Sequence, residues 1–288
     1  TITLGGDSTS TTLASGTVVP TGYALKATGD QVGGIEFGTT ANAGIALNSG
    51  GGDIVLRGKS TEGFSGSGAE SNGILLHGGL TIDAGSNGDI TMDGQGQNGT
   101  FNGGIYTGYQ LLVGNTEIRT VDGDISLTGK SLGGGTSGNR GVLLQANDAN
   151  SLTIEAKGTG GVSIVGDAGT SGSGLLDVYS DNTVNILASS GSITIQGQGN
   201  GSFFTTDIIT IGYKAGTDVT ASSSSIDIQD NEPSWDASGI LQFNTAGTVT
   251  IQPYGNDFSS AFSTAKTGFS SGVTGLTIGK TTNTTSVT

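Results

Sequence analysis

The stretch Gly88–Gly94 reads Gly-Asp-Ile-Thr-Met-Asp-Gly and returns five more times with nearly the same chemistry. The other copies are Gly52–Gly58, Gly123–Gly129, Gly160–Gly166, Gly191–Gly197 and, in a frayed form, Ser225–Asp230. The first apolar residues of neighbouring copies lie 31 to 37 residues apart. A unit repeated at such a period cannot bury its apolar face alone and must stack on copies of itself. The repeat therefore predicts a solenoid.

Two further strand-like runs separate consecutive copies of this unit. In the clearest repeat, Ile74–Leu76, Leu80–Ala84 and Ile90–Met92 follow each other within Gly73–Gly94. Three short strands within roughly 20 to 25 residues suit one turn of a three-sided parallel β-helix, in which each strand pairs with its counterparts about 4.8 Å above and below. We therefore predict an all-β fold that is a three-sided parallel β-helix.

Apolar and polar residues alternate within each copy, so neighbouring side chains point to opposite faces of the strand. Ten apolar residues are expected to form inward ladders: Ile54, Leu56, Ile90, Met92, Ile125, Leu127, Val162, Ile164, Ile193 and Ile195. Five residues between them are expected to point outward: Val55, Thr91, Ser126, Ser163 and Thr194. Ice binding needs a flat, regular Thr array, and this mixed row argues against it.

The remaining residues of each repeat are rich in Gly, Ser and Asn. All of these segments follow the same strand, and they are residues 58–68, 94–104, 129–138 and 166–174. Insertions of this kind usually collect on one face of a repeat protein. We expect the Gly-rich loops to project from one corner of the solenoid and to form its contact surface.

The repeat weakens after about residue 205. Residues 1–205 are predicted to form regular solenoid repeats, and residues 206–288 a less regular continuation. Within this second part, apolar residues fall at helical spacing, and they are Phe258, Ala261, Phe262, Ala265 and Phe269. Asn256 or Asp257 could cap such a helix. We expect one short helix near residues 257–267, lying against the side of the solenoid.

Composition and charge exclude several partners. The 288 residues contain 55 Gly, 3 Pro and no Cys, without the strict Gly period of collagen. The formal net charge of −14 repels phosphate backbones and anionic membranes. No apolar run is long enough to span a bilayer or to act as a signal peptide. The chain begins and stops in mid-pattern, so we expect it to be an excerpt of a longer protein.

Three motifs together carry a resemblance to a known family. They are Gly-Val/Ile-x-Leu, then Leu-Thr-Ile-x-Ala, then Gly-Asp-Ile-x-Leu-x-Gly with a Gly-rich loop, and with them the segment Gly247–Pro253 followed by a Phe/Ser stretch and Leu276–Lys280. The chain resembles the repeats of filamentous-haemagglutinin-type exoproteins over about residues 30–288. The resemblance implies a right-handed parallel β-helix that is exported across a Gram-negative outer membrane as a fibrous surface or secreted adhesin.

Parallel β-helices also carry polysaccharide-degrading sites, which need clustered carboxylates on adjacent coils. Asp53, Asp89 and Asp124 recur in register and could form an acidic ladder. Gly161 and Ser192 interrupt that ladder at the next two coils. We therefore expect these carboxylates to cap turns rather than to catalyse.

Other candidate chemistry is sparse. A second carboxylate row at Asp83 and Glu155 is broken by Leu187. The single imidazole, His77, is expected to be a solvated loop residue, since no Cys or Ser/His/Asp grouping accompanies it. The match of Gly94–Gly99 to Gly-x-Gly-x-x-Gly lacks a following helix. We predict no catalytic, cofactor-binding or metal-binding residues.

Three glycosylation sequons begin at Asn98, Asn200 and Asn283, the first two within predicted loops. The sequence therefore favours a non-catalytic structural segment of an extracellular filament or filamentous adhesin. Its expected partners are neighbouring copies or further repeats of the same chain, and surface glycans or matrix. The alternative is a β-helical protein of the tailspike type that binds or degrades a polysaccharide.

Overall fold

The computed structural model describes the chain in fifteen stretches. They are residues 1–13, 15–25, 32–38, 44–60, 71–97, 103–107, 114–132, 139–146, 150–169, 173–175, 183–198, 208–213, 223–231, 240–265 and 267–288. Regular secondary structure in these stretches is entirely β. The strands are β1 (Ile2–Leu4), β2 (Gly6–Thr12), β3 (Val18–Gly22), β4 (Ala24–Leu25), β5 (Val32–Phe37), β6 (Ile45–Asn48), β7 (Ile54–Lys59), β8 (Ser71–Leu76), β9 (Leu80–Asp83), β10 (Ile90–Gly96), β11 (Gly103–Thr107), β12 (Thr116–Thr120), β13 (Ile125–Ser131), β14 (Arg140–Leu143), β15 (Ser151–Ala156), β16 (Val162–Asp167), β17 (Ser173–Leu175), β18 (Thr183–Ala188), β19 (Ile193–Gln198), β20 (Ile208–Gly212), β21 (Ile226–Gln229), β22 (Ile240–Asn244), β23 (Thr248–Gln252), β24 (Thr267–Phe269) and β25 (Gly275–Ile278).

Three parallel sheets form the walls of a solenoid. Sheet 1 has the order β1-β7-β10-β13-β16-β19-β21-β23-β25, with β4 also paired to β7. Sheet 2 has the order β17-β14-β11-β8-β5, and sheet 3 the order β24-β22-β20-β18-β15-β12-β9-β6. Successive coils visit the sheets in turn, as in β8, β9 and β10. The predicted three-sided parallel β-solenoid is confirmed.

The apolar ladder predicted for sheet 1 sets the register. Ile54, Ile90 and Ile125 are direct partners on neighbouring strands, and Val162 follows on the next. All four side chains are 0 to 1 % exposed. Full burial of each aliphatic side chain contributes about 1.5–3 kcal/mol before the cost in conformational entropy. This burial favours one register over any slipped alternative, because a shift by one residue would turn every apolar side chain outward.

A glycine seam joins sheet 1 to sheet 2. The strands β7, β10, β13 and β16 run one or two residues past the glycines at which loops were expected to begin. Those glycines occupy the next inward position after the apolar ladder, and a Cβ at Gly94 would press on the backbone of Gly104. Gly58 and Gly73 repeat this contact one coil below. The repeated glycine therefore lets two backbones approach, a role that the sequence did not indicate.

The predicted corner loops lie mostly outside the described residues. Residues 61–70, 98–102, 133–138 and 170–172 belong to this group. Their projection from one corner stays a prediction. The strands that lead into them do end at the same corner of sheet 1, since β7, β10 and β13 are paired in register up to their last residues.

The predicted helix near residues 257–267 is wrong, because residues 257–265 form no helix. Phe258 and Phe262 are each 2 % exposed, belong to the main core, and stack with ring centroids 5.3 Å apart. The Phe262 N–H donates to the Ser286 carbonyl at 3.0 Å, and the Thr288 N–H donates to the Phe262 carbonyl at 2.8 Å. Residues four apart share a face in an extended chain as well as in a helix. The backbone hydrogen bonds to the next coil hold this segment in the extended form and not in a helix.

Candidate functional site

The carboxylates of Asp53, Asp89 and Asp124 form a staircase up one edge of sheet 1. The Asp89 N–H donates to Asp53 Oδ1 at 3.1 Å, and the Asp124 N–H donates to Asp89 Oδ1 at 2.8 Å. The Gly161 N–H completes the series by donating to Asp124 Oδ1 at 2.7 Å. Each carboxylate thus caps the backbone of the coil above it. The predicted capping role is confirmed.

Removal of one Asp from this staircase should lower the free energy of unfolding by the contribution of one backbone hydrogen bond. We expect Asp89→Ala to lower the free energy of unfolding by about 1 kcal/mol, because the Asp124 N–H loses its acceptor. Asp89→Asn keeps an acceptor oxygen and should lose less than half as much. Urea denaturation followed by circular dichroism measures both variants. An alanine variant as stable as the parent chain would contradict the capping role.

The second carboxylate row, Asp83 and Glu155, is part of an ion-pair cluster around Arg119. Register places Arg119 between Asp83 and Glu155 on the outer face of sheet 3. Arg119 Nε donates to Asp83 Oδ2 at 2.8 Å, and its Nη1 donates to Glu117 Oε2 at 2.7 Å. The hydrogen bond to Asp83, followed by the nearby carboxylates, raises the pKa of Arg119. Glycoside hydrolysis needs two carboxyl groups that face each other across the substrate. Here the Arg119 guanidinium lies between the acidic residues, so this row does not offer such a pair.

His77 does not lie in a solvated loop, so that expectation is wrong. His77 directly follows β8, and its side chain is buried. Its Nε2 lies 2.9 Å from Oε1 of Glu36, a residue of β5. The His77 N–H donates to the Phe37 carbonyl at 2.9 Å. Strand β8 ends at this corner with the imidazole covered by the coil below. His77 therefore belongs to the contact between β5 and β8.

Two short sequence motifs have structural explanations. Gly94 and Gly96 lie inside strand β10, so the start of the Gly-x-Gly-x-x-Gly match is extended backbone and not a phosphate-binding loop. The Asn283 side chain caps a neighbouring coil, accepting from the Phe258 N–H at 3.1 Å and donating to the Thr285 carbonyl at 2.8 Å. A glycan on Asn283 would disturb this cap. The sequons at Asn98 and Asn200 lie outside the described residues.

An N-terminal strap crosses the outer face of sheet 1. It consists of the antiparallel hairpin β2–β3 and the short strand β4, which pairs with the end of β7. The Tyr23 hydroxyl donates to Asp93 Oδ2 at 2.7 Å and accepts from Gln95 Nε2 at 2.6 Å. Arg57, on β7 between β4 and β10, donates a hydrogen bond to the Pro20 carbonyl of the strap. The sequence did not predict this strap, because the partners lie about 70 residues apart.

The strap should release at high pH. Burial, followed by the hydrogen bond to Asp93, raises the pKa of Tyr23 from 10.0 to about 12. The fold therefore favours the neutral phenol, so its contribution is complete below pH 10 and is lost as the pH rises through about 12. We expect an ultraviolet titration of the phenolate to show a component near pH 12 that Tyr23→Phe removes. Identical titrations of the two chains above pH 11 would contradict the docked phenol.

A small cavity opens on the outer face of sheet 1, above the last step of the Asp staircase. Its volume is about 220 Å³. Its lining comes from β13, β16, β19 and the residues just before them: Asp124, Ile125, Ser126, Gly161, Val162, Ser163, Ser192 and Thr194. The side chains that point outward here are hydroxyls and one carboxylate.

No helix in the described stretches is long and apolar enough to cross a membrane. Across those same stretches, no group of three or more acidic or imidazole side chains is arranged to hold a metal ion. No family model, curated protein or solved structure matches the chain.

Proposed function

We propose that this chain is a non-catalytic structural segment of an extracellular filament or filamentous adhesin. The observation that carries the proposal is the single ladder of sheet 1, which keeps one register from β1 to β25. Such a sheet resists bending, because each coil is tied to its neighbours by backbone hydrogen bonds, a continuous apolar column and the Asp caps. Length and stiffness are what a filament requires of its repeats.

The outermost strands support association along the solenoid axis. Leu4 on β1 is 37 % exposed and Leu276 on β25 is 48 % exposed, although both occupy inward register positions. Their partners Leu56 and Val249 are 0 % exposed. A strand edge with an exposed apolar cross-section templates further pairing. The partners that suit these edges are further repeats of the same chain or a second copy stacked head to tail, a contact that propagates instead of closing.

Native material tests the proposal directly. Mass spectrometry should find either a single chain far larger than 28.4 kDa or assemblies built from units of that mass. The resemblance to filamentous-haemagglutinin-type exoproteins supports a location on a Gram-negative cell surface, which immunogold labelling of intact cells would check. A monodisperse native monomer of 28.4 kDa would overturn the filament in both forms.

Head-to-tail stacking has its own test with the purified chain. Electron microscopy at rising protein concentration should show rods that lengthen, and Leu276→Asp should shorten them by placing a charge in the contact. The matched control is Val121→Asp, because Val121 is 39 % exposed and its backbone is bonded to the coils on both sides, away from either edge. Equal effects of the two substitutions would contradict stacking through β25.

The competing proposal is a polysaccharide-binding or polysaccharide-degrading protein of the tailspike type. The cavity beside Asp124 is the observation in its favour. Incubation with a panel of polysaccharides, followed by assay of reducing ends, separates the two. Steady release of reducing ends that is lost on Asp124→Ala would replace the structural proposal with the enzymatic one.

A further inference from the structure

The cavity exists because the Asp staircase stops at Gly161. In register, Gly161 follows Asp53, Asp89 and Asp124, and it has no side chain to fill the space above the Asp124 carboxylate. A larger residue is excluded, because a Cβ at Gly161 would lie 2.7 Å from the Ser192 carbonyl oxygen. The opening is therefore built into the backbone packing of β16 against β19.

The hydroxyls on one side of the cavity form regular rungs. Ser126, Ser163 and Thr194 are direct partners on β13, β16 and β19, and each is half-buried. Neighbouring strands lie about 4.8 Å apart, which is close to the separation of two equatorial hydroxyl oxygens in a 1,3 relation on a six-membered sugar ring. Each of these hydroxyls can donate and accept a hydrogen bond. A ligand with several hydroxyls could thus bond to two rungs at once.

The Asp124 carboxylate supplies the strongest acceptor. One of its oxygens accepts from the Gly161 N–H, and a carboxylate has further lone pairs for O–H donors of a ligand. Hydrogen bonds to an ionised acceptor are about twice as strong as neutral ones. The exposed carboxylate attracts a cationic side chain only weakly, since a solvated ion pair contributes about 0–1 kcal/mol.

Charge and lining narrow the ligand class. A net charge of −14 and a carboxylate in the lining disfavour phosphate, sulfate and uronate groups. An apolar ligand would leave the hydroxyls of Ser126 and Ser163 without partners. One carboxylate with hydroxyl neighbours is a poor donor set for a divalent cation. A neutral polyhydroxyl molecule satisfies these groups, and the volume of about 220 Å³ admits one sugar residue at a time.

We propose that this cavity, between Asp124 and Thr194 on the outer face of sheet 1, is a binding site for a neutral sugar residue. The Asp124 carboxylate accepts hydrogen bonds from the sugar, and the rungs of Ser126, Ser163 and Thr194 hold its remaining hydroxyls. The site binds without turnover. It goes beyond the structural role and does not depend on whether the chain forms filaments.

Saturation-transfer NMR with named probes tests the site. The neutral probes are glucose, galactose, mannose and N-acetylglucosamine, and the charged ones are glucuronate and n-butylammonium. At least one neutral sugar should bind saturably and more tightly than glucuronate. Ser163→Phe fills the cavity and should abolish that binding. Failure of all four neutral sugars to bind, or saturable binding of n-butylammonium alone, would overturn the proposal.

A matched pair of variants separates the site from the hydroxyl row as a whole. Thr194→Val removes one hydroxyl and keeps the shape of the side chain, so binding should weaken about three- to tenfold. Thr91→Val makes the same change in the same outward row, at a residue that does not line the cavity. It should leave the affinity unchanged. Equal losses in the two variants would overturn the assignment of the site.

Discussion

An Ile125→Asp variant is expected to lose at least about 4 kcal/mol of unfolding free energy, the largest effect of any single substitution considered for this chain. Ile125 is 0 % exposed and lies between Ile90 and Val162 in the central column of sheet 1. The variant loses the burial of the isoleucine, about 1.5–3 kcal/mol, and places a carboxyl group among apolar side chains without a cation. The acid must be neutralised or the coil must open.

Val165→Asp is the matched control for this variant. Val165 lies on the next strand, β16, but it points outward and its strand partners are Thr128 and Gln196. The same aliphatic-to-acid change there should cost less than about 1 kcal/mol. Urea denaturation gives the two costs, and hydrogen exchange should show lost protection around β13 in the Ile125 variant. Similar costs for the two variants would show that the assignment of faces is wrong.

The assignment of faces could be predicted from the sequence because it depends on local alternation alone. Ile54, Ile90 and Ile125 stand at the same place in nearly identical units, and equivalent residues of parallel coils become neighbours. The capping role of Asp89 could be predicted for the same reason, since its equivalents Asp53 and Asp124 precede the neighbouring strands β7 and β13. Repetition turns sequence position directly into spatial register.

Features that depend on two different segments could not be predicted in this way. Tyr23 meets Asp93 only because the strap folds back over sheet 1, and His77 is buried only because β5 lies beneath β8. Phe258 and Phe262 satisfied a helical period and an extended one equally well. The ion pairs of Arg119 do not follow from the acidic residues alone, because strand register places this basic residue between Asp83 and Glu155.

The glycine seam could not be predicted either, because its contacts join two different strands. A Gly→Ala substitution in the seam should destabilise the chain, although the same substitution in a strand is usually stabilising. Replacing Gly by Ala normally stabilises a strand by about 0.4–1 kcal/mol, because alanine has less conformational freedom to lose. At Gly129 a Cβ would lie against the Gly141 carbonyl oxygen and 2.7 Å from Val142 Cγ2. Both neighbours belong to β14, whose backbone is held by its own ladder. Gly129→Ala should therefore destabilise the chain by about 3 kcal/mol, the upper part of the range for overpacking.

Gly275→Ala provides the comparison that isolates the seam. Gly275 also lies in a strand of sheet 1, and the nearest atom to its Cβ would be the methyl group Cγ2 of Thr248 at 3.3 Å. This methyl group can move, so Gly275→Ala should be neutral or slightly stabilising. Thermal and urea denaturation should show a clear loss of stability for Gly129→Ala and no loss for Gly275→Ala. If Gly129→Ala were as stable as the parent chain, sheets 1 and 2 could not meet through their glycine backbones, and the repeated glycine would return to the turn role that its sequence pattern first indicated.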